Sequence, residues 1–369
     1  MRPKPRLVTD LAPARNRVSA WLFDQALPLW ADRGVDARGR FWEQLDFDGR
    51  PIRGLKRRTR VQARQIYVFC EGAALGWDAG REVGRAGLDG LIASSRRDDG
   101  LWVAATDDIG AVVDPTPDLY DLAFVLFALA AAHRVLGDPR ARPLALETLA
   151  AINTRMAAPH GGWREALPAR LPRRQNPHMH LLEAMLAWQA TAPDPAFEAA
   201  ARESLRLCRA HFLVDGAIRE YFTQDWAPDP ETGHVVEPGH LEEWAWLLTR
   251  AEAAGLATAE AAEGLHRRAV AQGLKAGFLI REMDPEGAPI DAGRRLWAQT
   301  EGIRTALLFD PSAAAALVDG VFDSHLAAAV PGLWIDSYDA DGRSHDAGVP
   351  ASSLYHLMTA FAELLGGRS

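Results

Sequence analysis

One histidine in this sequence stands three residues before a glutamate, a spacing that suits proton transfer. In EPGHLEEWAWLL (237–248) these residues are His240 and Glu243. On a helix they share a face, so the carboxylate can fix the imidazole tautomer and move the histidine pKa toward neutrality, as a general acid or base requires. We predict that His240 and Glu243 act as a pair, with Glu242 turned away. The alternative is a capped helix with solvated glutamates.

A second segment, NPHMHLLEA (176–184), combines a helix start with two histidines. Asn176 followed by Pro177 predicts an N-cap and a first helical position. His180 comes four residues after Asn176 and shares its face, whereas His178 points elsewhere. The sequence therefore makes Asn176 and His180 candidates for one site, and a buried structural histidine is the alternative for His180.

Three further segments place hydrogen-bonding side chains where a helix should begin. They are RRTRVQARQIYVF (57–69), RRLWAQTEGIRTALL (294–308) and VPASSLYHLMTAF (349–361), and they supply Arg60, Gln62, Arg64, Gln65, Trp297, Gln299, Glu301, Ser352, Ser353, Tyr355 and His356. Polar groups for hydroxyls, with tryptophan faces for the C–H side of a ring, are typical of a carbohydrate pocket.

The sequence does not favour a metal or cofactor site. Glu237 and His240 match half of a carboxylate-bundle metal motif, which also needs a second Glu-x-x-His and two more glutamates on facing helices. HExxH, the P-loop and the Gly-rich dinucleotide fingerprint are absent. We therefore expect metal-free proton chemistry without a cofactor.

The elements that carry these residues recur along the chain. About twelve amphipathic or apolar helical patterns can be counted, for example DLAFVLFALAAAHRVLG. Between alternate helices lie six Gly/Asp-punctuated segments, such as GLWVAATDDIGAVV, that read as short β-hairpins or extended loops. Six segments and twelve helices indicate six helix pairs.

A polar residue stands near the start of every second helix at almost equal intervals. The residues are Arg64, Tyr120, His180, His240, Glu301 and His356, and the intervals are 56, 60, 60, 61 and 55 residues. A period of this size, with one helical hairpin per repeat, indicates a closed or stacked toroid. We predict an all-α fold, an (α/α)6 barrel, as a single catalytic domain over residues 1–369, with the inner helices starting at one cleft.

Composition narrows the classes of partner and the compartment. The net charge of −8 argues against nucleic acid, and neither a signal peptide nor an apolar run long enough to span a bilayer is expected. The two cysteines, Cys70 and Cys208, are far apart and suit buried thiols in a reducing compartment. We expect a cytoplasmic monomer or homodimer. The basic segment RGLKRRTR (53–60) is either a solvated loop or an anion-binding segment.

The segments RVQARQ, NPHMHLLEA, EPGHLEEWAWLL, RRLWAQTEGI and PASSLYHL, taken in this order, resemble the N-acylglucosamine 2-epimerase family. That family also contains mannose isomerases, cellobiose 2-epimerases and a sulfoquinovose isomerase, and its fold is an (α/α)6 barrel. The resemblance extends from about residue 57 to residue 356 and includes Arg57 and Arg58, so this pair is poor evidence for a phosphorylated substrate.

The resemblance implies roles for individual residues. His240 and His356 are similar to the family's two catalytic histidines. Sugar-binding or histidine-orienting positions correspond to Arg64, Tyr120, Asn176, His180, Glu243, Trp297 and Glu301. In an aldose–ketose isomerase His356 would move a proton between C2 and C1, His240 would assist at oxygen, and Arg64 would steady the enediolate.

Several functions stay open at this point. The relatively short chain favours interconversion of mannose and fructose, and the alternative is 2-epimerisation of an N-acylglucosamine, an N-acylmannosamine or a glucose-type sugar, with histidines on opposite faces of C2. A glycoside hydrolase would need two carboxylates across the scissile bond, for which Glu243 and Glu301 are candidates. A non-catalytic toroid would be favoured if His240 and His356 lay far apart.

Overall fold

The computed structural model describes residues 10–366, and within them the chain forms twelve helices. Their bounds are α1 Ala12–Trp21 and α2 Leu27–Arg33, α3 Thr59–Ala74, α4 Gly80–Ser95, α5 Leu119–Ala131, α6 Ala141–Arg155, α7 Gln175–Thr191, α8 Pro195–Leu207, α9 Pro238–Ala253, α10 Ala262–Arg268, α11 Leu296–Phe309, α12 Pro311–Asp323 and α13 Ser353–Leu365. The first two are one continuous helix, joined by the π-helical turn Leu22–Ala26.

Alternate helices form a closed inner ring. In chain order α3, α5, α7, α9, α11 and α13 each contact the next, and α13 returns to contact α3. The outer helices α4, α6, α8, α10 and α12 each pack on the inner helix that precedes them, and α1 packs on α13. The predicted (α/α)6 barrel is therefore confirmed.

Inner helices are buried on almost every side, as a helix surrounded by other helices must be. In α5 every residue except Tyr120 is buried. The 18 residues Leu119–Leu136 have a mean hydropathy of 1.6, enough for a membrane-spanning helix by length and composition, but 78% of this stretch is buried inside the protein. Its apolar composition is explained by its place in the core.

Short antiparallel strands join the repeats at the end of the barrel where the inner helices begin. They are β1 Gln44–Leu45, β2 Arg57–Arg58, β3 Ala105–Thr106, β4 Val112–Asp114, β5 Arg173–Arg174, β6 Leu213–Val214, β7 Ala217–Ile218, β8 Tyr221–Phe222, β9 Leu274–Lys275, β10 Phe278–Leu279, β11 Glu282–Met283, β12 Pro289–Asp291, β13 Arg294–Arg295, β14 Ser337–Tyr338 and β15 Val349–Pro350. Strands β2, β3 and β4 form one sheet, and β1–β15, β5–β8, β6–β7, β9–β10, β11–β12 and β13–β14 pair two by two.

The predicted extended segments are thus largely confirmed. Five of the six contain strands, and the third, GGWREALP, contributes only isolated bridges, between Ala157 and Trp163 and between Asp118 and Ala166. Strands β2, β5 and β13 each run directly into the inner helix that follows, so strand pairing fixes where these helices start.

The helix start at Asn176 was predicted two residues too late. Helix α7 begins at Gln175, Arg174 occupies the N-cap position without a side-chain cap, and Pro177 is the third helical residue. The backbone N–H of Gln175 donates to Glu220 O at 3.2 Å, which ends the strand there. The Asn176 side chain contacts His240 on the neighbouring inner helix α9.

Two smaller expectations concern the cysteines and the N-terminus. Cys70 and Cys208 are both free and buried, as predicted, and burial raises the pKa of each thiol to about 12. The expectation that the chain starts without a signal peptide falls largely on residues 1–9, outside the described residues.

Candidate active site

A cavity of about 170 Å3 opens where the inner helices begin, and all six of them or the residues just before them line it. Eight of the nine predicted site residues lie on its wall: Arg64, Tyr120, Asn176, His180, His240, Glu243, Trp297 and His356. The remaining wall residues are Glu237, Arg295, Ser352 and Ser353. The ninth predicted residue, Glu301, lies behind His356 and has no exposed surface.

The surroundings of His356 favour its neutral form. Its Nδ1–H donates to Glu301 Oε1 at 2.9 Å, and Glu301 Oε2 accepts from Arg304 Nη1 at 2.7 Å. Burial lowers the pKa of His356 to about 4, in the same direction as the nearby Arg64 charge, and outweighs the hydrogen bond and charge of Glu301. The imidazole is therefore uncharged at neutral pH and keeps a lone pair on Nε2.

His240 has the opposite electrostatic environment. Its Nδ1–H donates to Glu220 Oε2 at 3.0 Å, and Glu237 Oε2 lies 3.7 Å away. Burial lowers the pKa of His240, but the charges of Glu220 and Glu237 outweigh it and raise the pKa to about 10. His240 is therefore an imidazolium at neutral pH, and its Nε2, 3.0 Å from the Asn176 amide nitrogen, is at the cavity wall. A charged ring donates from both nitrogens, so the amide then presents its oxygen.

The predicted pairing of His240 with Glu243 is wrong. Glu243 Oε1 instead lies 3.7 Å from His180 Nδ1. Helical side chains lean toward the N-terminus, so His240 in the first turn reaches back to Glu237 and the strand segment carrying Glu220, while Glu243 sits one turn deeper. The predicted turn of Glu242 away from the pair is confirmed, because it accepts from His266 at 2.9 Å and from Thr305 at 2.6 Å.

Glu243 is a buried carboxyl on the cavity wall. Within the described residues neither of its oxygens has a hydrogen-bond partner, although the side chain is only 1% exposed. Burial and the nearby charges of Glu301 and Glu183 raise its pKa well above the usual range. The raised pKa favours the protonated form, in which a carboxyl without a partner can donate to a ligand oxygen.

His180 has its own carboxylate partner. Its Nδ1–H donates to Glu183 Oε2 at 3.0 Å, and the Tyr355 hydroxyl donates to the same oxygen. Arg304 Nη2 lies 3.9 Å from Glu183 Oε1. Arg304 therefore contacts both carboxylates that bind the histidines: Glu183, the partner of His180, and Glu301, the partner of His356. His178 faces away, as predicted, and accepts from the Trp163 N–H at 3.3 Å.

Aromatic and cationic groups complete the wall. The Trp297 ring lies between the two catalytic candidates, with centroid distances of 4.8 Å to His240 and 5.8 Å to His356. Arg64 Nη2 donates to the Tyr120 hydroxyl at 2.7 Å. The histidines are therefore close together, so the condition that would have favoured a non-catalytic toroid is not met.

The sequence interpretation missed three supporting residues, Glu183, Glu220 and Arg304. Glu183 follows His180 at the same three-residue spacing that drew attention to His240, and Arg304 stands three residues after Glu301, so both carried a usable signal. Glu220 carried none, because only the pairing of β5 with β8 brings its segment next to α9.

Two groups in the described residues bring metal-ligand types together: His180, Glu183 and Glu243, and Glu220, Glu237 and His240, each with ligand atoms within 4.8 Å of one another. In both groups the histidine Nδ1 makes a hydrogen bond of 3.0 Å to one of the carboxylates. These contacts orient imidazoles without requiring an ion.

Comparison with known proteins agrees with this geometry. The chain is 36% identical to a mannose-6-phosphate isomerase of Rhizobium meliloti (strain 1021), covering 96% of this chain and 97% of that protein. It is 32% identical to a D-mannose isomerase of Thermobifida fusca, over 79% and 78% of the two chains. The structure of a cellobiose 2-epimerase from Spirochaeta thermophila DSM 6192 superposes with a TM-score of 0.84 at 24% identity, covering 97% and 98%. Residues 39–360 match the family described as N-acylglucosamine 2-epimerase (GlcNAc 2-epimerase), and the chain belongs to that family.

Proposed function

We propose that this protein is an aldose–ketose isomerase that interconverts D-mannose and D-fructose, an unphosphorylated pair. The observation that carries the proposal is the contrast between its two cavity histidines, one neutral beside Glu301 and one charged beside Glu220. Mannose is common to the names of the two relatives that are more than 30% identical, and only one of those names carries a phosphate.

The contrast suits isomerisation better than 2-epimerisation. A 2-epimerase needs two groups on opposite faces of C2 that exchange the roles of base and acid when the reaction reverses. His240, with a pKa raised to about 10 by its carboxylates, holds its proton too firmly to serve as a base at carbon near neutral pH. An isomerase needs only one base at carbon, together with an acid at oxygen.

The steps follow from these two protonation states. After ring opening, His356 Nε2 takes the proton from C2, the C–H electron pair forms the C1=C2 bond, and the carbonyl electrons move to O1. His240 donates a proton to O1 and then regains one from the hydroxyl on C2 as the ketone forms. His356 returns its proton to C1, so no atom is gained or lost.

The supporting residues stabilise the charge that develops. The Arg64 guanidinium lies at the wall of the same cavity and can offset the enediolate charge, as can the unpartnered carboxyl of Glu243 by donating a hydrogen bond. Glu301 orients His356, and Glu220 orients His240. Trp297 offers its face to the C–H side of the sugar.

The alternative within the family is a 2-epimerase of N-acylglucosamine, N-acylmannosamine or a glucose-type sugar. The cellobiose 2-epimerase compared above shares the fold at 24% identity, which establishes the fold alone. A glycoside hydrolase is disfavoured, because Glu301 is sealed behind His356 and only Glu243 of the proposed carboxylate pair reaches the cavity.

An isotope experiment tests the function. The EDTA-treated protein is incubated in D2O with mannose, glucose, N-acetylmannosamine and cellobiose, and the products are followed by NMR. Fructose formed from mannose supports the proposal. Deuterium at C2 with inversion but without fructose would identify an epimerase instead, and no exchange with any of the four sugars would overturn both.

Three further properties belong to this proposal. Residues 1–369 act as one catalytic domain, since the inner ring is closed by contact between α13 and α3. The protein works in the cytoplasm, which the two free buried thiols support. It does so as a monomer or homodimer, without nucleic acid, membrane or metal.

A further inference from the structure

A second polar cavity, of about 240 Å3, adjoins the catalytic cavity, and Tyr120 lines both. We call it the cationic annex, after the basic residues on its wall: Lys56, Arg58, Arg60, Arg170 and Arg174. Three of them come from the basic segment 53–60, which the sequence left as either a solvated loop or an anion-binding segment. Arg57 of that segment is instead structural, since it is 1% exposed and pairs with Asp36 at 2.6 Å.

The charges of the annex are arranged in layers. Each arginine is paired with a carboxylate that is at most 8% exposed, whereas the arginine side chains are 25–50% exposed. The pairs are Arg58 with Glu43, Arg60 with Asp121, Arg170 with Asp118 and Arg174 with Glu165. These carboxylates are less exposed than their partners, so guanidinium groups contribute most of the accessible charged surface, and Asp114, Asp118 and Asp121 also line the cavity.

This surface retains capacity to bind an anion. A guanidinium has five N–H donors, and each of these side chains uses only one or two of them on its carboxylate. Lys56 is exposed and makes no ion pair within the described residues. Several unused guanidinium donors around one space suit a phosphate, which accepts hydrogen bonds in pairs.

One carboxyl group on the annex wall, that of Asp121, can donate a hydrogen bond to an anion when it is protonated. Asp121 Oδ2 has no hydrogen-bond partner within the described residues although the side chain is 1% exposed, and burial raises the pKa of this carboxyl to about 6. A neighbouring negative charge raises such a pKa further. Next to a phosphate, Asp121 can therefore carry a proton and donate it in a hydrogen bond.

The annex lies across the ring from the reacting end of the sugar. Helix α5, which carries Tyr120 and Asp121, is opposite α11 in the closed order of six inner helices. Trp297 of α11 has His240 on one side and His356 on the other, so C1 and C2 must lie on that side of the cavity. The remote end of a hexose then points toward Tyr120 and the annex beyond it.

We propose that the cationic annex binds a phosphate monoester carried by the sugar at the end remote from C1, so that a hexose 6-phosphate is a second substrate. This inference rests on the proposed aldose–ketose isomerisation and extends its substrate class. Lys56 and Arg170 contact the phosphate at the open side of the annex, and Arg58, Arg60 and Arg174 contact it from the inner side.

The test compares two substrates in the full-length protein. Values of kcat/KM are measured for mannose and for mannose 6-phosphate in the wild type, in Lys56→Glu and in Arg170→Gln. Lys275→Glu is the matched control, because it makes the same charge change at an exposed lysine on β9, outside the annex. Inorganic phosphate alone is added in a separate series to distinguish a free anion from a phosphate on the substrate.

We expect turnover of both sugars. The ratio of kcat/KM for the phosphate ester to that for mannose falls roughly tenfold or more in Lys56→Glu and in Arg170→Gln, as expected for loss of a charge-assisted contact, and is unchanged in Lys275→Glu. Added salt lowers kcat/KM for the ester more than for mannose, because an exposed charge pair is screened.

Other results overturn the inference in distinguishable ways. Turnover of mannose without turnover of the ester, with or without an effect of inorganic phosphate, rejects the second substrate and leaves the proposed function standing. If the ester is turned over but neither annex variant changes the ratio of kcat/KM for the ester to that for mannose, the phosphate binds outside the annex. If neither mannose nor mannose 6-phosphate is turned over, both the isomerase function and the second substrate are rejected.

Discussion

At the scale of single residues, the proposed catalysis depends on how the surroundings of each histidine set its pKa. Burial and the nearby charge of Arg64 lower the pKa of His356 and outweigh the hydrogen bond and charge of Glu301, which also accepts from Arg304. In residues 10–366, Glu220 and Glu237 form ion pairs only with His240, so the imidazolium balances their charge. Two identical side chains on one cavity thereby have opposite pKa shifts, which is the basis for proposing one as the base and the other as the acid.

Replacing the base should remove the chemistry while leaving the fold. We expect His356→Ala to lower the rate of C2 proton exchange in D2O by roughly 10²–10⁴-fold, the usual contribution of a general base. His160→Ala, which removes an exposed histidine, is the control and should leave exchange unchanged. Exchange that persists in His356→Ala would assign the base to another group.

The two histidines also predict the pH dependence of kcat/KM. His356 must be unprotonated and His240 protonated, so activity should rise through about pH 4 and fall through about pH 10, the pKa values that their surroundings set. In Glu220→Gln the carboxylate that most raises the pKa of His240 is gone, so the alkaline limb should move to lower pH.

A matched variant keeps this pH experiment specific. Glu286→Gln removes an exposed carboxylate from the β11–β12 hairpin and should leave both limbs in place. If the alkaline limb of Glu220→Gln coincided with that of the wild type, His240 would not be the acid observed.

At the scale of elements, helix α9 positions the site by approaching α11 closely at a glycine. A Cβ at Gly239 would lie 2.6 Å from Trp297 Cζ3 and 2.8 Å from the Ala298 Cβ. The absence of a side chain at this position lets the indole lie against the start of α9, with its ring between the two histidines.

Adding one methyl group there should disturb the site more than the fold. We expect Gly239→Ala to displace Trp297 and lower kcat/KM at least roughly tenfold, with the far-ultraviolet circular dichroism unchanged, because the ring can shift into the adjacent open cavity. Gly264→Ala on α10 is the control, since a Cβ there meets nothing within 4 Å and a helical alanine is favoured over glycine. Full activity in Gly239→Ala would show that the position of Trp297 is not needed.

At the scale of the whole molecule, stability depends on contacts that join the last inner helix to outer helices. Phe361 of α13 is unexposed, stacks on Phe322 of α12 at 6.1 Å, and meets the edge of Trp21 of α1 at 5.9 Å. These contacts join the final inner helix to outer helices from both ends of the chain.

Removing the phenyl ring of Phe361 should weaken the packing of α13 against α12 and α1. We expect Phe361→Ala to lower the free energy of unfolding by about 3–5 kcal/mol, the usual cost of truncating a buried phenylalanine, measured by denaturant unfolding followed by tryptophan fluorescence. Phe47→Ala, at a side chain that is 37% exposed, should cost much less. An equal loss of unfolding free energy in the two variants would show that the packing of Phe361 against α12 and α1 does not stabilise the barrel.

The sequence by itself determined the repeat and, through it, the fold. Equal spacing of polar residues at helix starts fixes which helices are inner ones, because each repeat buries its apolar face only against its neighbours. For the same reason it placed Arg64, Tyr120, His180, His240 and His356 on one cavity, as found.

Only the tertiary structure decided which carboxylate serves which histidine. Spacing along a helix joined His240 to Glu243, but the partner of His240 is Glu220, from a strand segment twenty residues away. A hydrogen bond depends on atoms within about 3 Å, and strand pairing sets those positions between repeats. Because protonation states follow from such contacts, the assignment of acid and base came from the folded protein.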